Sequence, residues 1–406
     1  MIAKSILQLK IDETPEQFAK SLSAEGDVFW WDKGNFWVVT SYELAKLALL
    51  NQKISCDRSS FFISRMPDLD LKLLPDFFRV VGKMMVMSDG KNHTRRRQVA
   101  THGMSSTVLE AFKPKIERTI QMLLDQAEAK ETFDFASEIA RQIPSSVLAD
   151  LYGIREEDRE KFYLWSDTMT QFFGGSSSYQ NEDGIRVNEA AKNLSEFFEA
   201  LIADRRSQPQ DDFVSKMLDR QDGLGLSDDE VVSQAIMMLV AGQVTTSDQI
   251  CNNLFGLLSD VGARTQVKSD PSIMPQALEE LTRLDPAVTF IFRVVATDTL
   301  IGSQEVKGGD VVFISNHAVN RDAREFDNPH AFDPMVVRSA HLGYGYGPHY
   351  CLGASLARIE MDVLFRKMFA RFPKLSLDPE RAAVRKHHSL SFSGFESLPL
   401  RINHHG

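Results

Sequence analysis

Apolar residues recur at helical spacing through the middle of the chain, from about residue 115 to residue 258. Stretches such as FEALIADRR show the three-and-four spacing of a helix with one buried face. Two β-prone runs, VFWW and FWVVT, flank a turn-forming tetrad at residues 32–35 and predict a hairpin. A second β-rich patch is predicted between Thr297 and Ser315. The pattern therefore favours a mixed, mostly helical protein.

One long helix is predicted near the centre of the chain. Ser227 and Glu230 have the spacing of a capping box, and VVSQAIMMLVAGQVTTSDQICNNLFGLL follows them. Such a helix would run for about 45 Å. Because its middle is apolar on every side, we expect it to cross the interior. Thr245 and Thr246 place hydroxyls there, which on their own could simply bond to carbonyls one turn back.

ALEELTRLDP predicts another helix, with Glu280 and Arg283 on one face and Asp285-Pro286 ending it. By itself this pair carries little information. Surface pairs at this spacing are common and contribute about 0.3–0.5 kcal/mol.

Composition supports a large hydrophobic core, since 43% of the 406 residues are hydrophobic and 25% are charged. A net charge of −10 disfavours nucleic acid as a partner.

The chain has no long apolar run, and its start lacks the features of a signal peptide, so we expect a cytoplasmic protein without a membrane partner. No repeat or linker divides it, which favours a single domain over residues 1–406. Residues 403–406 resemble a cloning remnant, so His404 and His405 are not candidate site residues.

The stretch GYGYGPHYCLG brings one cysteine, Cys351, into a glycine-rich loop. Gly345, Gly347 and Gly353 allow tight turns and the close approach of a bulky ligand, and LGASLARIEMDVLFRKMF reads as a helix. A cysteine at a helix N-terminus favours the thiolate, which is a strong ligand for haem iron.

Three other interpretations of this loop stay open at this point. Cys351 could be a buried structural cysteine, as lone cysteines usually are. The glycines could form a dinucleotide loop, although no strict GxGxxG occurs. His341, His349 and Cys351 could bind zinc. The other cysteines, Cys56 and Cys251, are too distant for a disulfide framework.

Taken in order, AGQVTT, ELTR, the arginine of IFRVVATD, FDP and GYGYGPHYCLG resemble the soluble bacterial cytochrome P450 family. The likeness extends from HTRRR near residue 93 to SGFESLPL near the C-terminus. Tyr344, Gly347, Cys351 and Gly353 fill the family's cysteine-loop pattern. The resemblance implies a mainly α, triangular P450 fold with small β-sheets. It also implies haem b (iron protoporphyrin IX) between the central helix and the cysteine-loop helix, with Cys351 as the iron ligand.

The resemblance also assigns residues around the cofactor. It implies that the haem propionates pair with His93, Arg97, Arg293 and His349, and that Ala241, Tyr344, Gly345 and Gly353 lie beside the ring. Glu280 and Arg283 match a structural pair of the family. The usual third member of that group, an arginine, is replaced by Val336, and Arg338 is the nearest substitute.

A departure from the family lies in the central helix. Val244 stands where relatives carry an acid that, with the following threonine, helps to deliver protons to oxygen. Valine cannot do this. Thr245 is kept, and Gln243, Thr246, water or a polar substrate group are candidates to take over.

The family alignment also predicts a substrate pocket, and its apolar members indicate a hydrophobic or aromatic ligand. The first four predicted lining residues lie on the loop 58–87, and the others lie in later segments. They are Phe61, Phe62, Met84, Met87, Phe172, Phe173, Leu239, Val288, Phe290, Ile291 and Phe392. Any single aromatic among them is more often plain core. The segment from Gly174 to Gly184 has the composition of a mobile lid.

The resemblance thus implies a haem-thiolate monooxygenase that hydroxylates or epoxidises a small organic substrate, with secondary metabolism as one setting. Electrons would come from NAD(P)H through a separate ferredoxin or flavodoxin and its reductase, because the chain carries no flavin or iron-sulfur motif. Two alternatives are a peroxide-dependent or otherwise atypical oxidation, prompted by Val244, and a non-catalytic haem sensor or accessory protein. Retention of Cys351 and Thr245 weighs against the last. The sequence leaves the substrate, the product and the oligomeric state open.

Overall fold

The structure, a computed structural model, describes residues 5–64, 69–173, 180–336, 340–387 and 389–403, except the side chains of Phe62, Ser64, Phe173 and Asp222. These residues form two compact units. The first comprises residues 1–53, 114–144 and 245–406, and the second comprises residues 54–113 and 145–244. The expectation of a single domain over residues 1–406 stays a prediction.

Helices make up most of the described chain, as the apolar spacing predicted. They are α1 (Ile6–Asp12), α2 (Pro15–Ser23), α3 (Tyr42–Leu50), α4 (Ser59–Ser64), α5 (Pro75–Val81), α6 (Gly90–Gly103), α7 (Ser106–Glu128), α8 (Gln142–Tyr152), α9 (Arg159–Phe173), α10 (Asn181–Ser207), α11 (Phe213–Leu224), α12 (Asp228–Ser259), α13 (Val261–Ser269), α14 (Met274–Leu284), α15 (Asn316–Val319) and α16 (Ala354–Arg371).

The strands are short. They are β1 (Val28–Trp31), β2 (Phe36–Val39), β3 (Ile54–Ser55), β4 (Thr132–Asp134), β5 (Phe290–Val295), β6 (Thr299–Ile301), β7 (Gln304–Val306), β8 (Val311–Ser315), β9 (Ser376–Leu377), β10 (Val384–Arg385), β11 (Phe395–Ser397) and β12 (Pro399–Arg401). The predicted hairpin is confirmed, since β1 and β2 pair antiparallel with Trp30 opposite Trp37. The predicted second β region is confirmed as β6, β7 and β8.

In the first unit, four strands follow one another in the order β1-β2-β8-β5. β2 and β8 are parallel, whereas β5 and β8 are antiparallel with Phe292 opposite Phe313. All five residues of β8 (VVFIS) are buried, and the first four of them are apolar. Phe290 packs edge-on against Phe18 of α2 and against Phe313, and so ties α2 to the sheet.

The core of the second unit is an aromatic cluster. Tyr152 at the end of α8 contacts Phe162, Phe198 and Phe213, with ring centroids 5.2–6.1 Å apart. Its hydroxyl donates to the carbonyl of Ala235, 2.7 Å away, so the buried oxygen keeps a partner. The cluster holds α8, α9, α10 and α11 around the first half of α12.

The central helix is confirmed and spans 32 residues. Its capping box forms as predicted, because the Ser227 hydroxyl accepts from the Glu230 N–H and the Glu230 carboxylate accepts from the Ser227 N–H. Glu230 also accepts from Arg95 and Arg96, at 3.3 and 3.0 Å. These two arginines therefore fix the start of α12.

One prediction about irregular segments is wrong, and the mobile lid stays a prediction. The segment 58–87, expected as a loop, contains α4 and α5. The end of the predicted lid is helical, because α10 begins at Asn181 with Gln180 as its N-cap. Residues 174–179 of the lid lie outside the described residues. Among the residues that are described, no helix has the length and apolarity needed to cross a membrane.

Candidate functional site

The loop that carries Cys351 consists of two 3₁₀ turns, Leu342–Tyr344 and Gly347–His349, followed by α16. Gly345 and Gly347 have φ of +75° and +71°, a region that favours glycine. At Gly347 a Cβ would also lie 2.7 Å from Leu50 Cδ2. Gly353 has φ −82° and open space around it, so its backbone does not require glycine, and the close approach of a ligand there stays a prediction.

Cys351 precedes the N-cap of α16 by two residues, slightly before the helix end where the sequence placed it. Its N–H donates to the carbonyl of Tyr344, 2.8 Å away, which closes the loop below the side chain. All three cysteines are described, and of these Cys351 alone is exposed. Burial raises the pKa of the Cys251 thiol well above its usual range. The structural-cysteine interpretation therefore suits Cys251 and not Cys351.

A charged brace that the sequence did not reveal holds this loop. Arg358 of α16 donates two 2.8 Å hydrogen bonds to Glu279 of α14, and its guanidinium stacks on the Tyr344 ring with the centroid 4.5 Å away. Arg358 also donates to the Tyr350 hydroxyl at 3.1 Å. Such a bidentate pair fixes direction as well as distance. The brace orients both ends of the cysteine loop against α14.

Zinc binding by the predicted trio is not supported. His341 Nε2 lies 3.3 Å from Glu279, and its Nδ1 accepts from the Gly343 N–H. Among the described residues, His341, His349 and Cys351 do not bring their ligand atoms together. The dinucleotide interpretation also fails, because 3₁₀ turns rather than a strand lead through the glycines.

Glu280 and Arg283 form a buried pair, whereas isolated pairs of this spacing usually lie at the surface. Two 2.7 Å hydrogen bonds join them, and their side chains are 5% and 2% exposed. Arg283 further donates to three backbone carbonyls, those of Asn320, Pro329 and Ala331. Three carbonyls and one carboxylate thus surround the Arg283 guanidinium. Arg338, the predicted substitute, lies outside the described residues.

The middle of α12 has a short exposed face. Residues 231–240 and 246–254 are all buried, while Ala241 is exposed and Gly242, Val244 and Thr245 are half-buried. Positions 241, 244 and 245 share one side of a helix. A small, mostly apolar surface in the middle of an otherwise buried helix is suited to contact a bound group.

The other two candidates for proton delivery lie away from this face. Gln243 is buried and accepts a hydrogen bond from Ser166 of α9. Thr246 is buried as well. Because neither is on the exposed side, their predicted catalytic role loses support. Val244 and Thr245 lie on that side, and of these two only Thr245 has a side chain that can carry a proton.

The four predicted propionate partners are spread over the chain. His93 is buried and Arg97 half-buried on α6 of the second unit. Arg293 of β5 and the half-buried His349 belong to the first unit. Arg293 is 6% exposed and donates to the carbonyl of Phe292, 2.9 Å away, but makes no ion pair with a carboxylate of the described chain. A buried guanidinium without such a partner is suited to an anionic ligand group.

Three of the predicted pocket residues have partly exposed side chains in otherwise buried segments. Val288 and Ile291 are half-buried, while Ala287, Thr289 and Phe290 around them are buried. Phe392 is also half-buried and pairs with Val288 through an isolated β-bridge. We call Val288, Ile291 and Phe392 the apolar wall; all three belong to the first unit.

Phe290 is 2% exposed and packs in the aromatic core described above, and its pocket role stays a prediction. Phe61 is half-buried, and Phe62 and Phe173 have no described side chains. The pocket role of four further residues, all buried, stays a prediction: Met84, Met87, Phe172 and Leu239.

The residues fit a haem on three counts. The exposed Cys351 offers a sulfur at the end of a loop that turns at two positive-φ glycines. Arg293 offers a buried positive charge. Small and apolar side chains line the exposed face of α12. Tyr344, Gly345 and Gly353, also predicted to lie beside the ring, are half-buried in or next to the same loop.

One buried acid on α16 was not anticipated. Glu360 is 2% exposed, and its Oε2 has no hydrogen-bond partner in the described part of the chain. Burial raises the pKa of this carboxyl to about 8. Between pH 4.5 and 8 the folded state therefore keeps a proton that the unfolded state has lost, so the free energy of unfolding falls as the pH rises.

We expect Glu360→Gln to raise the melting temperature by several degrees at pH 8 and to leave it almost unchanged at pH 4.5. Each pKa unit corresponds to roughly 1.4 kcal/mol. Thermal unfolding followed by circular dichroism at both pH values checks this, with the exposed Glu110→Gln as control. An equal difference at the two pH values would contradict the assignment.

Comparison with known proteins agrees with this geometry. The family described as Cytochrome P450 matches residues 2–270 and 269–399. The chain is 30% identical over 370 residues to Cytochrome P450 107B1 of Saccharopolyspora erythraea, covering 90% of this chain and 89% of that relative. It is also 30% identical over 376 residues to the 6-deoxyerythronolide B hydroxylase of the same organism, covering 90% of each.

A solved structure, P450BioI in complex with an acyl carrier protein ligated to hexadec-9Z-enoic acid, has a TM-score of 0.87 and 28% identity. The match covers 97% of this chain and 99% of that one. Together with the exposed cysteine in its glycine loop, these matches show that the chain belongs to the cytochrome P450 family, haem-dependent oxidoreductases whose relatives here include monooxygenases.

Proposed function

We propose that this P450 inserts one atom of dioxygen into a small hydrophobic substrate that contacts the apolar wall beside Thr245. The observation that carries the proposal is the exposed Cys351 at the end of its braced glycine loop. When bound, the haem supplies the redox chemistry that activates dioxygen, and a thiolate ligand favours O–O cleavage.

The chain's own residues would bind the haem and exclude water from the substrate. Cys351 provides the sulfur, and the bond from its N–H to the Tyr344 carbonyl fixes the backbone below it. Arg293 supplies a buried cation for a propionate, and His93, Arg97 and His349 are its predicted companions. Val288, Ile291 and Phe392 exclude water from one side of the substrate, since their partly exposed surfaces are apolar.

Proton supply is the unusual part of the proposal. Thr245, half-buried on the exposed face of α12, holds a hydroxyl proton, but Val244 beside it can neither donate nor accept one. We infer that protons reach Thr245 through water or through a polar group of the substrate.

We expect Val244→Asp to raise the fraction of reducing equivalents that reach product rather than hydrogen peroxide by a factor of about 2–10, well below the 10²–10⁴ that a positioned acid contributes. Product and peroxide are quantified against NADPH consumed. Val244→Asn is the control, because it has the same shape without the acid. Unchanged coupling in Val244→Asp, or an equal gain in Val244→Asn, would remove this position from proton delivery.

Peroxide-driven oxidation is the second candidate, and the observation that favours it is Val244 on the exposed face of the helix. Peroxide brings both the oxygen atoms and the protons, so the missing acid matters less. Turnover of the purified protein with hydrogen peroxide, compared with turnover using NADPH and a surrogate reductase, separates the two candidates. Faster peroxide turnover supports the second.

The electron donor and the substrate class belong to the proposal as well. Electrons would pass from NAD(P)H through a separate ferredoxin or flavodoxin and its reductase. One relative hydroxylates 6-deoxyerythronolide B, by its name, and one neighbour was solved in complex with an acyl carrier protein ligated to hexadec-9Z-enoic acid. A panel of macrolactones, steroids, free fatty acids and carrier-bound acyl chains, read by loss of the iron's water ligand, identifies the class.

A further inference from the structure

The apolar wall is built from two segments joined by backbone hydrogen bonds. The Thr289 N–H donates to the Ser391 carbonyl and the Ser393 N–H donates to the Ala287 carbonyl, both at 2.8 Å. The β-bridge between Val288 and Phe392 lies between these bonds. The position of Phe392 therefore depends on what holds residues 389–393.

A lysine from the first helix reaches this segment. The ammonium of Lys10, on α1, donates to the carbonyls of Ser389 at 2.7 Å and Leu390 at 3.3 Å, and also to that of Phe392. A lysine ammonium has three N–H donors, and Lys10 donates to three backbone carbonyls within residues 389–392. The contact joins residues 379 to 382 positions apart in the sequence.

Counter-charges near this ammonium come from two carboxylates. Burial lowers the pKa of Lys10 to about 7, while the charges of Asp285 and Asp248 oppose that change and Arg385 adds to it. Lys10 is thus set among partners that a surface lysine does not have. Below about pH 7 Lys10 carries its charge, and its bonds to the carbonyls are then stronger than neutral ones.

The ends of the segment are held by other groups. Lys386 forms a 2.7 Å ion pair with Asp248 of α12, and Asn252 of α12 donates to the Ser393 carbonyl at 3.1 Å. Gly394 packs so closely on Asp248 that a Cβ there would lie 2.2 Å from its Oδ1. Since α12 holds the ends, loss of Lys10 is expected to loosen the middle of the segment without detaching it.

We propose that Lys10 is a positioning residue for the substrate site, which holds Phe392 against Val288 and so sets the shape of the apolar wall. The proposal rests on the proposed function, because it assigns the wall to the substrate. It gives the N-terminal helix, far from the cysteine loop in sequence, a part in selecting ligands.

Hydrogen exchange of the purified haem-loaded protein tests the contact directly. In Lys10→Met we expect the amides of Thr289 and Ser393 to exchange about tenfold faster, because the bonds they make across the wall open more often. Lys20→Met on α2, where Lys20 is exposed and pairs only with Glu16 among the described contacts, is the matched control. Unchanged exchange in Lys10→Met would overturn the proposal. If Lys10→Met does not yield folded protein, Lys10→Gln is measured instead, because glutamine keeps an N–H donor without the charge.

Two iron ligands test the effect on the wall. Imidazole binds ferric haem with little contact to the surroundings, whereas 4-phenylimidazole places a ring against them, and both are followed by the Soret band. We expect Lys10→Met to change the Kd for 4-phenylimidazole by about tenfold and that for imidazole by less than about twofold, with Lys10→Arg close to the parent. Equal changes for both ligands would overturn the positioning role. Failure of either ligand to shift the band in the parent protein would instead refute the haem assignment.

Discussion

Cys351→Ala is expected to abolish the thiolate signature of the reduced, carbonyl-bound protein and to reduce turnover to background. The sulfur at this position is the one exposed thiol among the three cysteines, all of which are described, and no side chain nearby in the loop can replace it as a soft anionic ligand. The measurement is the Soret band of the carbonyl complex, with haem content determined separately.

Cys251→Ala is the matched control. Cys251 is 2% exposed, and burial keeps its thiol protonated, so its removal should leave the spectrum unchanged. An unchanged Soret band in a fully loaded Cys351→Ala protein would refute the haem-thiolate assignment. Haem loss without a spectral change of the remaining holoprotein would refute it equally.

Arg283→Met is expected to lower the free energy of unfolding by about 3–5 kcal/mol, because it leaves the Glu280 carboxylate buried without its counter-charge. It also removes the donor for three carbonyls, and the Asp333 N–H that bonds to Glu280 would lose part of its support. Denaturant unfolding followed by circular dichroism gives the change.

A surface pair of the same spacing serves as control. Arg186 and Asp183 pair on α10 with side chains 70% and 31% exposed. Arg186→Met should therefore cost no more than about 0.5 kcal/mol. Similar losses in the two variants would show that the Glu280 pair acts as an ordinary surface pair. The effect is expected on stability and haem retention, with ligand affinity of the remaining holoprotein preserved.

The sequence predicted those secondary-structure elements that depend on residues close together in the chain. The hairpin of β1 and β2, the capping box of Ser227 and Glu230 and the 32-residue α12 all depend on residues within a few positions of each other. The sequence predicts a loop over residues 58–87, but short helices with weak periodicity form there because tertiary packing stabilises them.

In the candidate site, too, some features could be predicted from local sequence and others could not. Cys351 and the glycines at 345 and 347 could be identified from sequence, because a thiolate ligand and positive φ require particular residue types. The sequence predicts a role in proton delivery for Gln243 as well as Thr245, because the two lie close together in the chain. The structure separates them, since one points to Ser166 and the other lies on the exposed face.

The sequence by itself determined the family and the absence of an acid before Thr245, and it predicted Cys351 as the iron ligand, since each is a matter of residue identity at a fixed spacing. Only the tertiary structure decided the contacts between distant segments: the brace of Arg358 on Glu279, the carbonyls around Arg283 and the reach of Lys10 to residues 389–392. The physical reason is that an ion pair or a carbonyl contact across hundreds of residues has no local signature, because any lysine or arginine has the same chemistry until folding places an acceptor beside it.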